Sequence, residues 1–136
     1  MDELARVLRD QDGVVARRQL LVLPGVDGTF VNRMLRRREL VEVHRGVYVD
    51  HTGTPSWQQR AWAAVLWAWP AALAGASAWR AFEGPGRRHR DTDRLHVVVE
   101  RDRRLAPPPR VEGHRRAGFG AHALWNLGPP RLRLEE

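Results

Sequence analysis

The stretch from Gly28 to Val49 constrains the fold of this chain more than any other. It reads Gly-Thr-Phe-Val-Asn-Arg-Met-Leu-Arg-Arg-Arg-Glu-Leu, then Val-Glu-Val-His-Arg-Gly-Val-Tyr-Val. On a helix of about 100° per residue, with Val31 at zero, Phe30, Val31, Met34 and Leu35 share an arc from about 260° round to about 40°. Thr29, Asn32, Arg33, Arg36 and Arg37 take the opposite arc, from about 100° to about 240°. One face suits a core, and the other carries guanidinium groups and an amide. Such a face is commonly just solvated. Arg and Asn are also the side chains that pair bidentately with guanine and adenine edges in the major groove.

The segment after the helix narrows the choice. Val41, Val43, Val47 and Val49 alternate with Glu42 and Tyr48 around His44-Arg45-Gly46. Gly46 supplies the positive φ that a tight hairpin needs. A helix that runs through Leu40 into a basic-tipped hairpin predicts the tail of a winged helix-turn-helix. His44 and Arg45 would then sit at the wing tip, within reach of phosphate or the minor groove.

The residues upstream supply the remaining parts. Asp2 and Glu3 place acids at the positive end of a first helix, and Leu4, Val7 and Leu8 give it an apolar stripe. Asp12-Gly13 ends it. Val14 and Val15 predict a short third strand beside the wing. Ala16 to Leu23 predicts a second helix with Leu20, Leu21 and Leu23 inward and Arg17, Arg18 and Gln19 at its start, although Ala16 is a poor N-cap. Pro24 to Gly28 is a turn, and Thr29 begins the third helix.

Composition sets the class of partner. All 23 basic residues are Arg, and the net charge is +7. The absence of Lys excludes P-loop and Schiff-base lysine chemistry, and the absence of Cys excludes disulfides and thiolate chemistry. The charge favours a polyanion, nucleic acid first. One basic region holds Arg17, Arg18, Arg33, Arg36, Arg37, Arg38 and Arg45, and a second runs from Arg87 to Arg116. No apolar run is long enough to span a bilayer and there is no secretory signal, so a cytoplasmic protein without membrane contact is expected.

Residues 51–55 predict a polar linker. Ser56 N-caps a helix expected to run through Trp69 and to be buried almost all round. Ala71 to Phe82 predicts a second helix, closed by Glu83-Gly84-Pro85-Gly86. The basic loop Arg87-Arg88-His89-Arg90 comes next, with phosphate contact as one use for it. Leu95 to Glu100 predicts a strand, Arg101 to Pro109 an extended Pro-rich connection and Val111 to Arg116 another short strand. Trp57, Trp62, Trp67 and Trp79 are expected in the core, though some could mark a partner surface.

Catalytic chemistry finds little footing. Glu83, Asp91, Asp93 and Glu100 could imitate a nuclease carboxylate cluster, but the arginines around them favour ion pairs. His96 and His114 could pair across neighbouring strands. No catalytic residue, metal or cofactor is expected.

Residues 12–50 resemble the N-terminal winged-helix domain of AbiEi-type antitoxins from type IV toxin–antitoxin systems. Gly13-Val14-Val15, Gln19-Leu20-Leu21, Arg36-Arg37-Arg38 to Leu40-Val41 and His44-Arg45-Gly46-Val47-Tyr48 carry the likeness. Ser56 to Ala64, Leu95 to Val99 and Trp125-Asn126-Leu127-Gly128-Pro129-Pro130 are similar to actinobacterial members. Those often continue into an endonuclease-related domain that is not expected here, since the chain stops at Leu134-Glu135-Glu136. The resemblance implies an antitoxin that controls its own promoter and meets a toxin.

The expectation is therefore an α+β chain. Residues 1–50 would form a winged helix-turn-helix, and residues 56–136 a small, incomplete α+β domain for packing or partner binding. Function would be sequence-specific binding of double-stranded DNA through Arg17, Arg18, Thr29, Asn32, Arg33, Arg36, Arg37, His44 and Arg45, in a transcriptional regulator that works as a homodimer. The alternatives are a protein-interaction module with a structural winged helix and, more remotely, a nuclease-related fragment.

Overall fold

The computed structural model describes residues 2–86, 90 and 93–134, and it divides into two compact units, residues 1–67 and 68–136. The fold is α+β. The first unit runs α1 (Asp2–Asp10), β1 (Val14–Ala16), α2 (Arg17–Leu21), α3 (Gly28–Arg36), β2 (Val41–His44), β3 (Val47–Val49) and α4 (Trp57–Trp67). Its strands form an antiparallel sheet in the order β1-β3-β2, so Val14–Ala16 does pair beside the hairpin.

Both faces of this sheet are apolar, and each is covered. The register sets Val15 opposite Tyr48, with Val14 opposite Val49 and Ala16 opposite Val47 on the reverse face. Val15 and Tyr48 join Leu4, Leu20, Val26, Val31 and Leu40 in a core built from α1 to α3. Val14, Ala16, Val47 and Val49 pack instead against Trp62, Ala63 and Leu66 of α4. The helix expected in the second domain thus belongs to the first unit, and the boundary falls after Trp67 rather than at residues 51–55. The cause is visible in Val47-Tyr48-Val49: a strand apolar at every position has no face to give to water.

Local chemistry fixes these elements. Asp27, one residue before α3, accepts the Phe30 N–H at 2.9 Å, so the cap lies two residues ahead of Thr29. At α2, Ala16 offers no side-chain acceptor. Gln19 compensates in part, its Oε1 accepting the Ala16 N–H at 2.9 Å. The helix is shorter than expected, and Leu21 is 43% exposed rather than inward. Ser56 and Gln59 make a full capping box, each side chain accepting the other's backbone N–H at 3.1 Å. Gln59 Nε2 donates to the Asp12 carbonyl at 2.9 Å, and Trp62 Nε1 donates to the Asp12 carboxylate at 3.0 Å. Gly13, at φ +87°, takes the left-handed conformation that favours glycine, and a Cβ there would also displace the exposed Asp50 carboxylate.

The second unit runs β4 (Ala72–Leu73), α5 (Gly75–Glu83), β5 (Leu95–Val99), β6 (Val111–Arg115), a 3-10 turn (Phe119–His122), β7 (Ala123–Leu124) and β8 (Arg131–Leu132). The mixed sheet has the order β6-β5-β4-β8-β7. The strands at Leu95 and Val111 stand where expected and pair in parallel. The helix expected from Ala71 begins only at Gly75, because Ala72-Leu73 forms the central strand between β5 and β8. Alanine favours helix locally, and tertiary pairing overrides it. Arg131 is buried and well held: Nη1 donates to the Ala81 carbonyl at 2.7 Å, and the guanidinium lies 5.0 Å from the Phe82 ring centre. Trp79, expected in the core, is 42% exposed. Among the described residues no helix is long and apolar enough to cross a membrane.

Candidate nucleic-acid interface

The outward face of α3 is the most coherent polar surface of the first unit. Val31 is fully buried, and Phe30, Met34 and Leu35 pack on the same core. That anchoring leaves Thr29, Asn32, Arg33, Arg36 and Arg37 on the other side, as the arc predicts. The helix itself contains no acid. Like any α-helix it is about 10–12 Å across with its side chains, which a major groove about 12 Å wide admits. The Arg33 guanidinium lies 5.4 Å from the centre of the Phe30 ring, a cation–π contact that limits its wandering.

The helix ends in a left-handed turn. Arg38 takes φ +59°, and the Glu39 N–H reaches back to the Met34 carbonyl at 3.0 Å. Arg37 is the C-cap, so its side chain leaves from the last turn beside Arg36.

The hairpin turn holds Arg45 and Gly46, the latter at φ +74°. Arg45 is exposed at the tip. His44 is not at the tip: it ends β2, next to a bulge between Glu42 and His44, and is half-buried. Burial pulls its pKa below the ordinary imidazole value, which favours the neutral ring. The turn is tied to α2 by the Arg17 N–H, which donates to the Gly46 carbonyl at 2.8 Å.

Arg17 and Arg18 divide. Arg18 is exposed, and partial desolvation lowers its pKa without threatening its charge near neutrality. Arg17 is half-buried, and its Nη1 donates to the Tyr48 hydroxyl at 3.3 Å. A Cβ at Gly28 would sit 3.4 Å from Arg17 Nη2, so this guanidinium lies beside the first turn of α3. Sequence reading missed the Tyr48 hydroxyl as its partner. Tyr48 occupies an inward strand position, and a buried Tyr usually finds a polar contact for its hydroxyl.

Arg87, Arg88 and His89 of the basic loop lie outside the described residues, as does Asp91. Glu100, one of the candidate nuclease carboxylates, spends both oxygens on the Gly118 N–H at 3.0 and 3.1 Å, and Asp93 accepts the Arg90 N–H at 3.0 Å. These two carboxylates serve as backbone caps. No family model matches the chain, and no curated protein matches it.

Proposed function

We propose that the first unit is a winged helix-turn-helix that binds double-stranded DNA with sequence preference, in a transcriptional regulator of the antitoxin type controlling its own operon. The observation that carries this reading is the acid-free outward arc of Thr29, Asn32, Arg33, Arg36 and Arg37, backed by a core-anchored opposite face. Asn32, at the middle of α3, and Arg33, at the start of its last turn, read base edges. Thr29, Arg36, Arg37, Arg18 and Arg45 take phosphates, and Arg17 acts partly by holding Tyr48. A dimer presents two such helices to a palindromic site. Neutralising about four phosphates with Arg18, Arg36, Arg37 and Arg45 gives a log–log salt slope of about −3.6. Fluorescence anisotropy on the upstream promoter at several salt concentrations measures that slope, and a value near zero removes the electrostatic model.

A second reading rests on Trp69, Trp79, Phe82 and Trp125, which leave large apolar surfaces exposed in the second unit. It makes that unit a docking module for another protein, such as a cognate toxin. Co-purification that survives an Arg33→Ala and Arg36→Ala background but fails in Trp79→Ser separates it from the first.

A further inference from the structure

In the second unit, β5 and β6 bring together three side chains that the sequence alone does not join. A His96–His114 pair is conceivable from the sequence, but Glu112 gives no sign of belonging with it. The parallel register sets His96 directly across from Glu112, and His114 stands two residues further on. All three therefore project from the same face of the sheet. His96 Nδ1 lies 2.9 Å from His114 Nε2 and 3.4 Å from Glu112 Oε2, and the three ligand atoms lie within 4.8 Å of one another. The two imidazoles are stacked, with centres 5.2 Å apart.

We propose that His96, Glu112 and His114 form a site for one divalent transition-metal ion of the zinc type, with its fourth position open to water. The first argument is a proton count. With both rings neutral, the two converging nitrogens share at most one hydrogen, and the carboxylate brings none. With one hydrogen there, one donor faces two acceptors; with the ring hydrogens on the outer nitrogens, three lone pairs converge, and a cation satisfies them together. The second is geometry. Metal bonds of about 2.0–2.2 Å at tetrahedral angles put donor atoms about 3.3–3.6 Å apart. The His96–Glu112 separation of 3.4 Å already matches, and the His96–His114 pair needs to open by about half an ångström.

The third argument is support. His96 is anchored on both sides of its peptide unit. Its N–H donates to Ser77 Oγ at 2.9 Å, and its carbonyl accepts the Ala74 N–H at 3.0 Å. Two imidazoles with one carboxylate suit zinc-type ions, whereas magnesium and calcium prefer all-oxygen sets. Binding fixes the tautomers: His96 carries its hydrogen on Nε2 and His114 on Nδ1.

The test uses the full chain, tag-free and stripped of metal, titrated with cobalt(II) alone and then with zinc as displacer. One equivalent of cobalt should produce the visible bands of a four-coordinate ion, and zinc should remove them. His96→Ala and His114→Ala should each weaken zinc at least about tenfold, as losing even an outer-shell partner often does. Glu112→Gln, at an exposed edge position, keeps the fold and should also weaken binding. His51→Ala and His122→Ala should change nothing. Zinc bound equally by wild type and by the His96→Ala/His114→Ala double variant overturns the proposal. Should the alanine variants unfold, histidine ring NMR of the wild type decides. One equivalent of zinc must shift His96 and His114 and spare His44, His51 and His122; any other pattern refutes the site.

Discussion

Truncating Leu66 to Ala tests whether α4 is part of the structure that supports α3. Leu66 is fully buried against Val14, Ala16, Val47 and Val49, on the sheet face opposite α1 to α3. The change deletes three carbons, worth about 2.4 kcal/mol at about 0.8 kcal/mol each. A cavity penalty adds to this. Its neighbours are β-branched valines on paired strands, alanines without rotamers, and Trp62, whose ring nitrogen is tied to Asp12, so little can collapse into the space. The expected loss is about 3–4 kcal/mol, within the usual Leu→Ala range of about 2–5 kcal/mol. Amide hydrogen exchange at Val15 and Tyr48 reads this unit without interference from the other. Protection there should fall by about a hundredfold or more, since about 1.4 kcal/mol is a factor of ten. Leu21→Ala, at a residue 43% exposed, should cost well under half as much. Equal effects from the two variants would mean that α4 does not hold the sheet.

Arg33→Ala should cost about 1–3 kcal/mol on the preferred DNA site and relax one position, whereas Arg45→Ala should weaken all sequences alike; anisotropy on specific and random duplexes compares them. Arg38→Gly relieves a left-handed non-glycine residue and should raise stability by about 1 kcal/mol, seen as a higher melting temperature. His44 has a folded pKa below its unfolded one, so the unfolded chain binds more protons between the two values. Stability should therefore fall as pH drops through the ordinary imidazole range toward that lowered value. His44→Asn should flatten this slope in melts across mildly acidic pH.

Much of the first unit was legible because its signals are local. The arc of α3, the Gly46 turn and the valine alternation each fit in a few residues. What failed was long-range. Ala72-Leu73 is helix-prone taken alone, and only its pairing with Val97-Val98 and Arg131 makes it a strand. Leu21 comes directly after Leu20 in the sequence, but α2 ends there and turns it outward. Glu112 escaped notice because its partner across the sheet is set by register, which no spacing along the chain reveals.

So short a helix as α3 is held in place by contacts at both of its ends and along one face. Nine residues with little capping would be marginal alone. Here Asp27 fixes the first turn, Val31 fixes the rotation about the axis, and the left-handed turn at Arg38 fixes the last turn. The hairpin turn is bonded to the start of α2 through Arg17 and Gly46, and Tyr48 of the central strand holds the Arg17 side chain beside Gly28. Helix and wing are therefore referenced to one small sheet rather than to each other through solvent. The reverse face of that sheet is closed by α4. If α3 binds DNA as proposed, Leu66→Ala should weaken that binding from the far side of the sheet, while Arg33→Ala should alter binding and leave the sheet untouched.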